Sequence, residues 1–194
     1  KRDEERADTQ LHSEPFAYGF SLRPYQQAAI QAAESAIAQG QREILLAMAT
    51  GTGKTKTCIA LIYRLLKTQR CRRVLFLVDR SALGEQAANA FKDTRMESLQ
   101  TFAEVFGIKE LDEQSPDSDT AVHIATVQGM VQRVLYAGEG ITPPAVDRYD
   151  CIVIDECHRG SAADDSAWRE VLDYFDSAIQ LGMTATPKET KYVS

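Results

Sequence analysis

Residues 48–55 read MATGTGKT and residues 155–158 read DECH. The first stretch combines glycines, threonines and a lysine, and the second sets two carboxylates side by side. These are residue types suited to handling phosphate together with a divalent cation. Gly51 and Gly53 allow a tight backbone turn that aims successive N–H groups inward, so Thr50, Gly51, Thr52 and Gly53 form a candidate phosphate cradle. A helix starting near Lys54 adds roughly half an elementary charge from its free N–H groups. Lys54 can reach terminal phosphates, and the Thr55 hydroxyl can ligate Mg²⁺. The strict form of this pattern has a further glycine where Met48 stands.

The acid pair follows an apolar run about 100 residues later, in YDCIVIDECHRG. Mg²⁺ keeps several waters and needs only one or two carboxylates besides phosphate oxygens. Asp155 is therefore the candidate to hold it opposite Thr55, and Glu156 the candidate to orient or deprotonate an attacking water. Lys54 and Glu156 are the catalytic candidates. A zinc centre is disfavoured, because His12, His123 and the four cysteines (58, 71, 151 and 157) show no paired ligand spacing. Thiol catalysis by Cys157 and His158 is disfavoured too, since neighbours at a strand end point apart and no orienting third group is evident. Cys157 reads as a spacer, while His158 is either a polar loop residue or part of the site.

Short apolar runs must position these residues: EILLAM (43–48), RVLFLV (73–78), AVHIA (121–125), CIVI (151–154) and AIQLGM (178–183). Three are almost continuously apolar, as strands covered on both faces are. Between them lie helical patterns at 26–37, 54–67, 82–92, 127–135 and 165–175. Strands alternating with helices predict an α/β domain with a mostly parallel sheet and helices on both faces. Each run is followed at once by a polar or glycine-rich stretch. A parallel sheet brings the carboxyl ends of its strands to one edge, where ligands bind. The stretches 109–120 and 137–148 read as loops, and the first 19 residues as a solvated linker or tail before a domain at 20–194.

The net charge of −6 leaves no overall basic footprint for nucleic acid, so any such contact must be local. The basic cluster KTQRCRR (67–73) reads as a solvated helix end rather than a DNA patch. No apolar run approaches the roughly 20 residues of a membrane helix. Cysteines inside apolar runs suggest buried free thiols, and the expectation is a cytoplasmic protein with no membrane role.

MATGTGKT, DECH and TATP (184–187) resemble motifs I, II and III of the first RecA-like domain of superfamily-two helicases and translocases, of the DEAD/DEAH-box kind. In that family the position of Met48 is often not glycine. The resemblance implies a RecA-like P-loop NTPase fold, with ATP and Mg²⁺ as cofactors. It gives Thr184 and Thr186 roles in coupling the nucleotide site to nucleic acid, with His158 touching motif III. LRPYQQAAI (22–30) resembles the Q-motif region, which implies Arg23 and Gln26 near the adenine. FLVDRSALGEQ (76–86) and IATVQGM (124–130) fall where motifs Ia and Ib lie. By resemblance Arg80, Ser81, Thr126 and Gln128 hold nucleic-acid phosphates, contacts that fix register without reading sequence. Arg80 and Gln128 as plain solvated loop residues is the open alternative.

Over residues 20–190 the longer phrases resemble the motor region of the R subunits of type I restriction enzymes. That implies an ATP-dependent motor moving on duplex DNA, with specificity and methylation subunits as partners. An RNA or DNA-repair helicase, and a nucleotide-binding interaction module without turnover, are the competing readings. Neither the second RecA-like domain with its arginine finger nor the family's nuclease signature falls within these residues. The chain therefore reads as half of a motor, expected to turn over slowly alone, since losing an arginine finger costs about 10³–10⁵ in rate.

Overall fold

The run VLFLV forms a strand, Val74–Val78, in which all five side chains are buried. That requires partners on both edges and cover on both faces. The computed structural model describes residues 2–48, 53–78, 81–94, 108–109, 121–140, 142–155 and 169–184. In chain order its elements are α1 (Arg2–Ser13), α2 (Pro24–Ala38), β1 (Glu43–Ala47), α3 (Lys54–Lys67) and β2 (Val74–Val78). There follow α4 (Ser81–Asp93), β3 (Ile108–Lys109), β4 (Val122–Thr126), α5 (Val127–Leu135), β5 (Cys151–Asp155) and β6 (Ile179–Thr184). Residues 169–174 are also helical.

The strands form one sheet in the order β1-β6-β5-β2-β4-β3, and every neighbouring pair is parallel. The expected α/β architecture is present, and the five anticipated strands lie within a residue of their expected bounds. Ile108–Lys109 is an addition: two residues are too short to show a period, and Lys109 had read as the start of a loop.

Alternation along the strands divides the core into two faces. Val74, Phe76, Val122, Ile124, Cys151, Val153, Leu181 and Met183 pack with α2, α3 and α4 on one side. Leu75, Leu77, Ala125, Ile152 and Ile154 pack on the other with Met130 of α5 and with Val171, Leu172 and Phe175. Helix α3 was expected to be amphipathic. Instead its residues 57–66 are buried without a break, because the sheet, α2 and the chain before α2 enclose it.

The opening segment corrects the expectation of a solvated tail. It forms α1, whose Ala7 and Leu11 are buried. Arg70 pairs with Asp8 at 2.9 Å, and Lys67 pairs with Glu14. The cluster at 67–73 is thus neither a free basic patch nor merely solvated; two of its cations dock the N-terminal segment. Main-chain N–H groups of Arg72 and Arg73 donate to the Asp150 carboxylate at 2.8 and 3.2 Å, closing the turn into β2.

On the second face, the Tyr149 hydroxyl meets His123 Nδ1 at 2.6 Å, and its ring lies edge-on to Phe175 at 5.3 Å between centroids. Burial pushes the Tyr149 phenol up to about 12, against the pull of Arg148 and Arg133. An unfolded tyrosine titrates near about 10. The folded state therefore retains this proton longer than the unfolded chain does. The resulting stabilisation is whole below about pH 10 and drains away as pH rises towards about 12. Urea denaturation at successive alkaline pH values should show this loss, and Tyr149→Phe should flatten the corresponding part of the profile.

Candidate nucleotide site

β1 ends at Ala47, and the pairing with β6 is carried one step further by the Met48 N–H, which donates to the Thr184 carbonyl at 3.0 Å. The cradle positions Thr50, Gly51 and Thr52 lie outside the described residues. Gly53 follows as the cap of α3, with φ 77° and ψ 37°, a left-handed conformation that glycine adopts without steric cost. Its carbonyl accepts from the Thr57 N–H at 3.0 Å and from the Thr57 hydroxyl at 2.9 Å. From the other side, Gln26 Nε2 lies 2.3 Å from where a Cβ on Gly53 would stand. Gln26 is buried, and its Oε1 accepts from the Arg23 N–H at 2.8 Å, so the amide has little room to retreat. Arg23 itself is exposed.

Gly53 is thus required twice, for its φ and for the close approach of Gln26. Gly53→Ala is expected to cost about 1–2 kcal/mol for the left-handed conformation alone, with the contact added. Adding Gln26→Ala should recover the contact part and leave the conformational part. Urea denaturation of the two variants separates them.

Lys54 opens α3, and its Nζ lies 2.9 Å from Asp155 Oδ1 at the end of β5. Strand β6 stands between β1 and β5, so the link spans roughly 10 Å of sheet, two strand spacings. A long side chain is needed to cross it. The register sets Ala47 beside Thr184 and Asp155 beside Met183, which places all three strand ends on one edge. Both partners keep some contact with solvent, at 18% and 22% exposure, so a ligand can reach them. Asp155 Oδ1 is itself shielded, and among the described residues it makes an ion pair with Lys54 but accepts no well-directed hydrogen bond. A carboxylate oxygen held by charge alone is the kind of donor that a hard cation takes up. Thr55, in the first turn of α3, is exposed. One carboxylate and one hydroxyl are a donor set that fits Mg²⁺. Among the described residues no group of three or more His, Cys, Asp or Glu side chains could hold a metal ion. Cys58, one turn beyond Lys54, is fully buried; burial first, and then the Asp155 charge, push its thiol far up, with Lys54 opposing. It stays a neutral thiol, as Cys71 and Cys151 in the same core are free thiols.

The remaining predicted residues divide three ways. Thr184 is buried at the end of β6, between the strands that carry Met48 and Asp155. Thr126 caps α5: its hydroxyl oxygen accepts from the Gly129 N–H at 3.0 Å, and a Cβ on Gly129 would stand 2.9 Å from that oxygen. Gln128 is exposed on the first turn of α5. Ser81 begins α4. Arg80, Glu156, His158 and Thr186 fall outside the described residues.

The sequence profile of the ResIII family, described as "Type III restriction enzyme, res subunit", matches residues 19–189. The chain belongs to the ResIII family. The type I restriction enzyme EcoKI endonuclease subunit of Escherichia coli K12 is 50% identical over 182 residues, covering 86% of this chain and 15% of that one. A solved fragment of a candidate HsdR subunit of a type I restriction enzyme from Vibrio vulnificus YJ016 is 30% identical. It matches with a TM-score of 0.60 over 97% of this chain and 30% of that one. The Sulfolobus solfataricus SWI2/SNF2 ATPase core solved with dsDNA shares the fold, with a TM-score of 0.62 at 19% identity over 92% of this chain and 35% of that one. The expected RecA-like fold and the restriction-subunit resemblance are both borne out. This ResIII chain spans about 15% of the length of the EcoKI relative. No described helix is long and apolar enough to cross a membrane.

Some features of this ResIII domain were not anticipated from sequence. The Gln26 contact with Gly53 joins the region before β1 to the cradle. Thr57 braces the same glycine. Arg64, in the apolar run CIALIYRLLK, and Glu34, the one charge on α2, form a buried ion pair. A charge set inside an otherwise apolar stretch of each helix, Glu34 in α2 and Arg64 within CIALIYRLL of α3, was the available signal.

Proposed function

We propose that the chain is the ATP-binding half of an ATP-dependent motor that moves along duplex DNA, within a type I restriction endonuclease R subunit. The Lys54–Asp155 pair at the carboxyl edge of the sheet carries this reading. A lysine at the start of a helix, 2.9 Å from a strand-end carboxylate, sets a phosphate-binding cation beside a cation-binding anion. ATP requires both.

In this reading, N–H groups of the cradle and Lys54 bind the phosphates, and Lys54 offsets charge that develops on them during transfer. Asp155 and Thr55 hold Mg²⁺, which supplies charge neutralisation at the phosphate oxygens when bound. Glu156 orients water for attack. Gln26, with Arg23, borders the adenine while its amide rests on Gly53. Thr184, Thr186 and His158 relay the state of the site. Ser81, Thr126, Gln128 and Arg80 stand towards DNA phosphates; since the Thr126 hydroxyl already caps α5, its contribution is to present the N–H groups of that helix start. Specificity and methylation subunits are the partners of the whole enzyme, and the cytoplasm its location.

The test is titration of the chain with a fluorescent ATP analogue in Mg²⁺, for the natural sequence and for Lys54→Ala. Binding that the substitution leaves unchanged contradicts the proposal.

A further inference from the structure

Helix α3 joins two places. Its first residue is Lys54, in the candidate nucleotide site, and its last turn carries Arg64 and Lys67. Fourteen residues make it about 20 Å long. The Arg64 guanidinium is buried and saturated with acceptors. Its Nη2 donates to the Leu11 carbonyl at 2.9 Å, and its Nη1 to the carbonyls of Glu14 at 2.9 Å and Pro15 at 3.3 Å. Nη1 also reaches the Tyr18 hydroxyl at 3.2 Å, and Nε and Nη2 hold the Glu34 carboxylate. The Phe16 ring lies 4.1 Å from the guanidinium carbon. Lys67 with Glu14 and Arg70 with Asp8 close the outside of the same contact.

Residues 8–18 therefore wrap the far end of the helix that presents Lys54. They fall outside the matched ResIII region, which begins at 19. Among the described residues, four of the six hydrogen bonds of the Arg64 guanidinium go to this segment. If the segment lifts, those N–H groups need water, and the buried end of α3 must open to admit it. A rigid helix carries such a shift to its other end.

We infer that residues 8–18 form a latch on α3 whose closure positions Lys54, with Arg64 as the positioning residue, so that latch closure and nucleotide binding favour one another. The inference rests on the nucleotide reading above. Linkage makes the coupling reciprocal: whatever factor the closed latch adds to nucleotide affinity, bound nucleotide adds to latch closure.

Hydrogen–deuterium exchange of the 194-residue chain, with and without the Mg²⁺ complex of a non-hydrolysable ATP analogue, tests this directly. The amides of α1 should exchange at least about fivefold more slowly with nucleotide bound, although they lie a helix length from it. The Asp8→Lys/Glu14→Lys variant places like charges opposite Arg70 and Lys67 and leaves the core side chains in place. It should exchange faster in α1 and bind the analogue more weakly by a similar factor, with the sheet amides protected as before. Exchange in α1 that ignores bound nucleotide overturns the proposal, as does an opened latch with unchanged affinity. Failure of the natural sequence to bind the analogue at all would instead remove the nucleotide reading on which the latch rests.

Discussion

Arg64→Ala should destabilise the fold by about 3–5 kcal/mol, the cost of leaving one member of a buried ion pair without its partner. Glu34 would remain buried on α2 without its ion-pair partner, and the carbonyls of Leu11, Glu14 and Pro15 would lose the Arg64 donor. Burial already pushes the Glu34 carboxyl up, and Arg64 pulls it back. Burial works against the Arg64 charge too, but its bonds to Glu34 and Tyr18 outweigh that. Without the arginine, Glu34 would protonate at higher pH, so the deficit should shrink as pH falls and the folded state takes up that proton. Exchanging both partners for apolar residues, as Arg64→Met with Glu34→Leu, removes the stranded charge and should recover much of the loss. Recovery will be partial, because the carbonyls of Glu14 and Pro15 lose the Arg64 donor and that of Leu11 keeps only the Glu14 N–H. Urea denaturation of the two variants at neutral and mildly acid pH measures both effects. Equal stability of Arg64→Ala and the natural chain would show that the pair contributes nothing.

The elements that were legible in sequence are those whose pattern is local. RVLFLV and CIVI read as strands buried on both faces, and each ends where a polar stretch begins. The convergence of Lys54 and Asp155 on one edge was legible for the same reason, since parallel topology carries the strand ends there; their direct ion pair was not. Helix α1 was not legible. Six of its twelve residues are Asp, Glu or Arg, and its buried apolar side chains are only Ala7 and Leu11. Its place depends on Arg64, Lys67 and Arg70, more than 50 residues away. The same holds for Gln26: its position in a familiar phrase suggested the adenine, but no spacing shows that its amide rests on Gly53. Thr126 illustrates the opposite limit. A threonine at a strand end before a helix serves as a cap or as a ligand, and the sequence is identical in both cases.

The second large effect concerns the site itself. On the proposed nucleotide reading, Lys54→Ala should remove a charge-assisted contact to phosphate worth about 1.5–3 kcal/mol, or roughly 10- to 100-fold in affinity. Asp155→Asn acts differently. It keeps the shape, removes the charge that would hold Mg²⁺, and releases Lys54 from its ion pair. Free of Mg²⁺, ATP should bind this variant no more weakly than it binds the natural chain, because one anion facing its phosphates is gone. In Mg²⁺, the variant should lose the gain in affinity that the natural chain shows. Lys54→Ala should lose affinity in both conditions.

The most direct test of the central claim is therefore the ATP affinity of the natural chain and of Asp155→Asn, each titrated with and without Mg²⁺. The account predicts that Mg²⁺ tightens binding to the natural chain and leaves binding to Asp155→Asn nearly unchanged. Equal response to Mg²⁺ in both proteins, or no ATP binding by the natural chain, would contradict it.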